Sequence, residues 1–327
     1  MAQPRILVLS LGGTITMLPG EAGGIAPKLG AEDLVAAVPA LADIAEVVAH
    51  SLFRLPSPSL SPANLVEVAQ RIEEAFARDF TGAVVVQGTD TIEESAFLLD
   101  LLLGGDQPVV VTGAMGGADA PGADGPANLL AAVRTAASAE ARGLGTLVVL
   151  NHEIHAARFV RKAHTALPSA FASPLVGPIG VVAEGRPRIH VRPPRLPGLP
   201  SYGGPPCHVA LLHWAMGEDG RLLEVLPRLG YAGAVIEGMG AGHVPAEAAP
   251  LLGELAARMP VVLASRCLAG PVFTSTYGYA GGEIDLLGRG LIPAGILSGL
   301  KARLLLGLAL RNRRGQACAA AAFTPYQ

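Results

Sequence analysis

A run of small and β-branched residues leads directly into a short polar turn and then into an apolar segment. The run is residues 83–86, the turn contains Thr89 and Asp90, and the apolar segment is residues 92–103. A continuous valine run without polar alternation predicts a strand that is buried on both faces, as in a parallel sheet. The stretch therefore predicts a βα unit with Thr89 and Asp90 at the carboxyl end of its strand, where open α/β sheets bind ligands.

The start of the following helix is predicted by the spacing of Thr91 and Glu94. This spacing is typical of a capping box, so the helix is expected to begin near Ile92. Free N–H groups at a helix start favour an anionic ligand. A capped βα turn without any function has the same pattern, so this stretch alone does not assign a function.

Two further predicted strands end in glycine-rich turns. Residues 6–9 are followed by Gly12, Gly13 and Thr14, and residues 108–112 are followed by residues 113–117, which include three glycines. Paired glycines after a strand allow a sharp turn and a close approach of the backbone to a ligand. Thr14 is therefore expected at the same kind of strand end as Thr89.

The order of the remaining elements predicts an α/β fold with two domains. Ser61 and Pro62 have the residue types of a helix N-cap and first helical position. Residues 17–30 are rich in glycine, proline and alanine and are expected to form a mobile loop, either a lid or a surface connection.

A segment crowded with proline and glycine, residues 185–206, separates the two domains and contains the predicted linker at 191–206. The predicted domains are residues 1–190 and 207–327. In the second domain, strands are expected at 209–212, 234–236 and 261–264, with helices near 221–229, 246–258 and 298–311.

Composition and charge limit the function classes. The net charge is −3, no basic run is longer than two residues, and the three cysteines are widely spaced. These features argue against nucleic acid as a partner and against a disulfide framework or a zinc cluster. There is no secretory hydrophobic segment before the first strand, and the apolar run at 304–310 is too short to span a bilayer. A cytoplasmic protein with no membrane partner is predicted.

Two motifs are misleading. Residues 238–243 (GMGAGH) follow a predicted strand, but His243 stands where the dinucleotide fingerprint requires its third glycine. His152 and His155 enclose a glutamate at helical spacing, but a zincin requires two residues between Glu153 and the second histidine. Neither a cofactor nor a metal ion is predicted.

Six segments in chain order resemble the bacterial-type L-asparaginase family. They are residues 11–15 (LGGTI), 87–94 (QGTDTIEE), 112–115 (TGAM), 123–129 (ADGPANL), 158–165 (RFVRKAHT) and 301–303 (KAR). The resemblance implies a larger N-terminal domain with a flavodoxin-like sheet and a smaller C-terminal α/β domain. It also implies a homodimer or homotetramer with its sites at the subunit contact, acting on a small amino-acid amide.

The resemblance also implies the roles of individual residues. Thr14 resembles the nucleophile, and Thr89, Asp90 and Lys162 resemble the second catalytic group. The substrate-binding positions are Ser57 for the carboxylate, Asp90 for the α-ammonium group, Ala114 near the side-chain amide, and Gly88 and Thr89 in the turn. Without the resemblance, the basic residues around Lys162 are more simply interpreted as a solvated face. A threonine hydroxyl is a poor nucleophile until a neighbour removes its proton, and a Lys–Asp–Thr cluster offers one route for that transfer.

The sequence departs from the family pattern at several positions. Residues 15–30 contain no tyrosine, although family members with a well-described lid have one that activates the first threonine. Pro58 stands where a glutamine often contacts substrate, Gln87 where histidine is frequent, and Gly116-Gly117 where Arg-Pro is common. The expected reaction is hydrolysis of L-asparagine through an acyl-enzyme. A glutaminase, another ω-amide hydrolase, or a catalytically inactive amino-acid-binding relative remain alternatives.

The missing tyrosine leads to a separate hypothesis about the C-terminal domain. Tyr277 and Tyr279 lie in a glycine-rich segment, residues 270–282, and Glu283 follows it. In the family, the corresponding region extends toward the site of the neighbouring subunit. One of these tyrosines from a partner subunit, with Glu283 as a companion, is therefore a candidate to complete the pocket. The alternative is that both tyrosines only pack at the subunit contact.

Overall fold

A computed structural model of the chain describes residues 3–19, 25–27, 29–199, 205–312 and 315–327. The chain divides into two compact units, Met1–Gly198 and Leu199–Gln327. Each unit has its own sheet.

The first unit is built on twelve described strands and four α-helices. The strands are β1 (Arg5–Ser10), β2 (Met17–Pro19), β3 (Ile25–Pro27), β4 (Glu46–Ser51), β5 (Gly82–Val86), β6 (Val109–Thr112), β7 (Thr146–Leu150), β8 (Glu153–Ala156), β9 (Arg161–Lys162), β10 (Phe171–Ala172), β11 (Gly180–Ala183) and β12 (Arg186–Ile189). The helices are α1 (Ala31–Ala36), α2 (Pro62–Phe76), α3 (Ile92–Leu102) and α4 (Gly125–Ala136).

Eight of these strands form the main sheet, in the order β12-β11-β8-β7-β6-β5-β1-β4. The strands β4, β1, β5, β6 and β7 are parallel, and β8, β11 and β12 continue the sheet with antiparallel pairing. In chain order the parallel part has the arrangement 2-1-3-4-5, which is the flavodoxin-like order. The predicted fold class is confirmed.

The buried strands explain why this sheet lies inside the unit. All residues of β5, β6 and β7 are buried. Side chains of α1 and α4 join one core with alternate residues of the strands, such as Ile6 and Val84. Helix α2 begins as the sequence predicts, because the Ser61 hydroxyl accepts from the N–H of Asn64 and Pro62 takes the first helical position.

The order 2-1-3-4-5 creates a switch point between β1 and β5. The chain leaves β1 toward one side of the sheet and leaves β5 toward the other, so a crevice opens between their carboxyl ends. The turns that contain Thr14 and Thr89 begin at these two ends.

The second unit contains a smaller sheet in which all four strands are parallel, in the order β13-β14-β15-β16. They are β13 (Val209–His213), β14 (Gly233–Gly238), β15 (Val261–Ser265) and β16 (Ile292–Pro293). The helices are α5 (Ala248–Ala256), α6 (Glu283–Gly288), α7 (Gly299–Asn312) and α8 (Gln316–Phe323).

Three details of the predicted elements are wrong or incomplete. The helix expected near 221–229 is only a 3-10 turn, Leu223–Val225, because Pro227 cannot donate a backbone hydrogen bond inside a helix. The segment at 185–206 begins with β12, whose Pro187 is tolerated because β12 is the edge strand. The segment expected as a loop at 17–30 contains the antiparallel pair β2 and β3.

Some predicted features fall outside the described residues. These are residues 20–24 and 28 of the expected lid and residues 200–204 of the expected linker. Within the described ranges, no helix is both long and apolar enough to cross a membrane.

Candidate functional site

The turns that follow β1 and β5 touch through their backbones. Gly12 and Gly13 have φ angles of +107° and +92°, a region that L side chains rarely adopt. A Cβ atom on Gly13 would lie 2.0 Å from the backbone nitrogen of Gly88. Only glycine therefore permits this approach, which sets the 3-10 turn beginning at Thr14 beside the β5 turn.

Thr89 and Asp90 lie in the 3-10 turn between β5 and α3. Thr89 is buried, whereas the Asp90 side chain is 61% exposed. The two neighbouring residues thus present a hydroxyl and a carboxylate at the carboxyl edge of the sheet.

The predicted capping box at the start of α3 is wrong, although the helix begins at Ile92 as expected. Thr91 makes no capping hydrogen bond, because it ends the 3-10 turn with φ −117° and ψ 14°. Its hydroxyl donates to the backbone oxygen of Ser57 over 3.2 Å and accepts from Gln87 Nε2 over 3.2 Å. Thr91 therefore links the β5 turn to the segment that contains Ser57.

Ser57 is buried against the same turn. Its hydroxyl accepts from the backbone N–H of Asp90 over 3.2 Å, and a Cβ atom on Gly88 would lie 2.7 Å from Ser57 Oγ. Accepting this bond leaves the hydroxyl proton of Ser57 available to an anionic ligand. Ser57 therefore packs directly against Gly88 and the backbone of Asp90.

The basic residues around Lys162 suggest a solvated face, but Lys162 is not part of one. It ends strand β9, which pairs with β10 in a two-stranded sheet of its own. Its Nζ lies 2.9 Å from Thr89 Oγ1 and 2.6 Å from Asp90 Oδ1, although more than seventy residues separate them in sequence. The Lys162 side chain is 15% exposed. A cation, a carboxylate and a hydroxyl thus meet in a geometry suited to proton transfer.

Ala114 lies in the third glycine-rich turn, after β6, and is buried. A Cβ atom on Gly113 would lie 2.4 Å from the backbone oxygen of Gln87, so this turn packs closely against the β5 turn. A Cβ atom on Gly125 would lie 2.8 Å from Ile15 Cγ1 and 3.5 Å from Ala114 Cβ. The Ala114 turn is therefore also adjacent to the segment that follows Thr14.

Two polar residues that stabilise this third turn received no role from the sequence. The Asp124 carboxylate accepts from the backbone N–H of Met115 and Gly116, at 3.0 Å and 2.8 Å. Asn128 donates to the Gly113 carbonyl and to Asp124, each over 3.0 Å. The signal available in the sequence was the spacing of Asp and Asn four residues apart, which brings the side chain of the residue before α4 next to a side chain in its first turn.

The remaining candidate residues lie in the second unit, where they form one cluster. Glu283 is fully buried, and its carboxylate accepts from the backbone N–H of Thr276 and Tyr277 at 2.8 Å and 2.7 Å. His243 Nε2 lies 3.1 Å from Glu283 Oε2, and His243 Nδ1 lies 3.0 Å from the Tyr279 hydroxyl. Backbone hydrogen bonds outweigh burial and lower the pKa of Glu283, so it is a carboxylate at neutral pH.

Accessibility differs within this cluster. Glu283 has no exposed surface, whereas Tyr277 and Tyr279 are 40% and 51% exposed. The two tyrosines are therefore more accessible than Glu283 and than the His243 side chain, which is 17% exposed. Among the residues that the structure describes, no group of three or more His, Cys, Asp or Glu residues is arranged to hold a metal ion.

Comparisons with known proteins agree for both parts of the chain. The domain family described as "Asparaginase, N-terminal" matches residues 5–195, and the "Glutaminase/Asparaginase C-terminal domain" matches residues 208–323. A probable L-asparaginase of Deinococcus radiodurans is 39% identical over 318 residues, which cover 93% of this chain and 92% of that protein.

Two other comparisons bear on substrate and fold. A glutaminase-asparaginase of Pseudomonas fluorescens biotype A is 40% identical over 187 residues, covering 56% of this chain and 51% of that protein. The crystal structure of a probable cytoplasmic L-asparaginase from Campylobacter jejuni superimposes with a TM-score of 0.86 and 31% identity. That superposition covers 98% of this chain and 99% of the other.

Proposed function

The chain belongs to the bacterial-type L-asparaginase family and is an amidohydrolase of that type, and we propose that it hydrolyses L-asparagine to L-aspartate and ammonia through a threonine nucleophile. The observation that carries the proposal is the contact of Lys162 Nζ with Thr89 Oγ1 and Asp90 Oδ1 beside the Thr14 turn. An amino-acid-binding protein has no need of a lysine aimed at a threonine hydroxyl.

The first half of the proposed reaction is acyl transfer to Thr14. Its hydroxyl oxygen attacks the carbon of the side-chain carboxamide, and the carbon–nitrogen bond of the tetrahedral intermediate breaks. The departing nitrogen takes up one proton, equal to the one that Thr14 loses, and leaves as ammonia. In the second half, water attacks the ester, releasing L-aspartate and restoring the Thr14 hydroxyl.

Thr89, Asp90 and Lys162 are proposed to move the protons. Thr89 is hydrogen-bonded to Lys162, and its hydroxyl can take up one proton while it passes on its own, so that the proton lost by Thr14 reaches the departing nitrogen. Asp90 Oδ1 accepts from Lys162 Nζ and holds it in place. Positioned proton transfer of this kind typically accelerates a reaction by about 10²–10⁴-fold.

Backbone N–H groups of the glycine-rich turns are proposed to stabilise the oxyanion of the tetrahedral intermediate. The turns after β5 and β6 pack closely, and Asp124 and Asn128 fix the second of them. A fixed donor is in place before charge develops and needs no reorganisation, which contributes ~3–4 kcal/mol per donor in other systems.

The substrate amino acid is proposed to bind through its two charged groups. The Ser57 hydroxyl donates to the α-carboxylate, and the exposed Asp90 carboxylate accepts from the α-ammonium group. Gly88 and Thr89 complete the surface beneath them, and Ala114 lines the pocket near the amide. This arrangement selects for a free amino acid, because each charged group has an opposite or hydrogen-bonding partner.

L-Glutamine is the second candidate substrate. It differs by one methylene, which a pocket distinguishes by only about 1–3 kcal/mol. The similarity to a glutaminase-asparaginase over 187 residues supports testing it.

The assembly of the protein and its location in the cell are also proposed from its membership of the L-asparaginase family. The protein is proposed to form a homodimer or homotetramer in the cytoplasm, with Tyr277 and Tyr279 contributed to the site of a neighbouring subunit and the buried Glu283 as their companion, holding the backbone of their segment. The exposure of the two tyrosines supports this part of the proposal, since exposed aromatic side chains are typical of contact surfaces.

The experiment is to measure ammonia release by the purified protein with L-asparagine and L-glutamine. The wild-type protein is expected to turn over L-asparagine, whereas Thr14→Ala and Thr89→Val are expected to be inactive with unchanged circular dichroism. Neither change leaves a buried charge, so folding is expected to be preserved. An activity only a few-fold below wild type in a folded variant would exclude the double-threonine mechanism.

A further inference from the structure

The strand that carries Lys162 is not part of the main sheet. β9 and β10 pair over only two positions, Phe171 with Lys162 and Ala172 with Arg161. Such a short antiparallel pair has little stability of its own in water. The position of Lys162 Nζ therefore depends on the contacts that hold this hairpin to the rest of the unit.

One contact is a hydrogen bond between two buried side chains. Ser173, the residue after β10, places its Oγ 2.9 Å from His155 Nδ1. Ser173 and the His155 side chain are 4% and 1% exposed. His155 lies on β8, in the main sheet, opposite Val148 of β7. The bond closes the segment from 155 to 173, which contains Lys162, on a fixed strand.

A second contact holds the other side of the hairpin. Arg161 Nε lies 4.0 Å from Glu93 Oε2, and Glu93 is in the first turn of α3, just after the turn that contains Thr89. The hairpin is thus held both to β8 and to the helix that directly follows the partners of Lys162.

The protonation state of His155 suits this bond. Burial lowers the pKa of His155 to about 4, so its ring is neutral at neutral pH. With the ring proton on Nε2, which lies 3.4 Å from Glu153 Oε2, the Nδ1 atom accepts from the Ser173 hydroxyl.

From this geometry we propose that His155 and Ser173 are positioning residues that fix the β9–β10 hairpin, and with it Lys162 Nζ, against Thr89 and Asp90. Neither side chain is placed in the catalytic or substrate-binding cluster; both act through Lys162. Their importance for turnover rests on the proposed function, whereas their effect on the position of Lys162 does not.

The first test is steady-state kinetics of Ser173→Ala. Removing the hydroxyl frees one end of the hairpin, and kcat is expected to fall on the order of tenfold, since small misplacements of catalytic groups have effects of this size or larger. KM is expected to change less than about twofold, because Ser57 and Asp90 remain in place. The single variant His155→Asn has a side-chain oxygen in the place of Nδ1 and keeps the bond to the Ser173 hydroxyl, so its kcat is expected to stay near that of the wild-type protein.

The second test observes Lys162 directly. The sequence has three lysines, Lys28, Lys162 and Lys301, so lysine labelled with ¹³C at the ε-carbon gives three NMR signals, assigned with Lys162→Met. Ser173→Ala is expected to shift or broaden the Lys162 signal and to alter its pH titration. If this variant does not fold, His155→Gln, which moves the polar atom away from Ser173, serves in its place.

The matched control is Thr135→Val, which removes another buried hydroxyl whose hydrogen bond, to Ala131 O, lies in α4. It is expected to leave kcat and the Lys162 signal unchanged. The proposal is overturned if Ser173→Ala behaves as this control does in both measurements. If the wild-type protein releases no ammonia, the proposed function fails, and the NMR comparison still decides whether Ser173 positions Lys162.

Discussion

Lys162 contacts one neutral and one charged acceptor, and these two contacts define what its replacement removes. Lys162→Met keeps an unbranched side chain of similar length but loses the bonds to Thr89 Oγ1 and Asp90 Oδ1. We expect kcat to fall by about 10²–10⁴-fold, the range for loss of a positioned proton-transfer group. Arg158→Met is the control, because this neighbouring cation donates instead to the Pro194 carbonyl. Equal activity of the two variants would contradict the assigned role.

His155 makes a prediction about stability and pH. Its pKa is lowered from 6.5 to about 4 by burial, so between these values the unfolded chain binds a proton that the folded chain does not. The contribution of His155 to the free energy of unfolding is therefore fully present above pH 6.5. It decreases as the pH falls toward 4, by at most about 3 kcal/mol.

Urea denaturation at pH 7, 5.5 and 4.5 measures this effect. His155→Asn removes the titrating ring, so its free energy of unfolding is expected to decline less steeply than that of the wild-type protein. The difference between the two curves isolates His155 from the other titrating groups. Parallel curves would show that His155 is not buried in its neutral form.

At the scale of elements, the close approach of the β1 and β5 turns makes Gly13 the position most sensitive to a small change. Gly13→Ala would introduce a Cβ atom 2.0 Å from Gly88 N, at a φ of +92°. We expect a loss of stability on the order of 2–4 kcal/mol, from backbone strain and overpacking together. Gly104→Ala is the control, because its Cβ would meet no atom within 4 Å. Thermal unfolding of both variants checks this, and similar melting temperatures would refute it.

The starts of α2 and α3 explain how far local patterns predict elements. Ser61 caps α2 as its residue type indicates, because it has extended backbone angles and its hydroxyl bonds to Asn64 in the first turn of the helix. Thr91 has the same kind of signal, but its hydroxyl donates to Ser57, which is distant in sequence, and accepts from Gln87, which lies just before the 3-10 turn. A capping pattern predicts where a helix begins, but tertiary contacts decide where the hydroxyl points.

At the scale of the whole molecule, the parallel strands of the main sheet were predictable, but the antiparallel strands at its edge, β8, β11 and β12, were not. Valine-rich strands such as β5 are recognisable because they are buried on both faces. β12 has alternating exposure and a proline, so its sequence is typical of a linker as much as of an edge strand. Without the resemblance, the contact of Lys162 with Thr89 was not predictable, because no periodicity connects residues more than seventy positions apart.

The last prediction concerns the assembled molecule and the two exposed tyrosines. If Tyr277 and Tyr279 complete a neighbouring subunit's site, the double variant with both changed to Phe loses a hydroxyl contact there. We expect kcat/KM to fall about tenfold, the equivalent of one hydrogen bond. Full catalytic efficiency in this variant would show that the tyrosines only pack.

Co-expression distinguishes help from a partner from help within one chain. A Thr14→Ala chain is paired with a chain that carries both tyrosine changes, and the mixed oligomer is purified with two different tags. If the tyrosines act across the contact, the chain with an intact Thr14 receives native tyrosines from its partner, and its sites regain wild-type efficiency. If they act within their own chain, every site in the mixed oligomer lacks either the nucleophile or the phenols. Activity then stays at or below the level of the tyrosine variant, and the idea of a shared site is wrong.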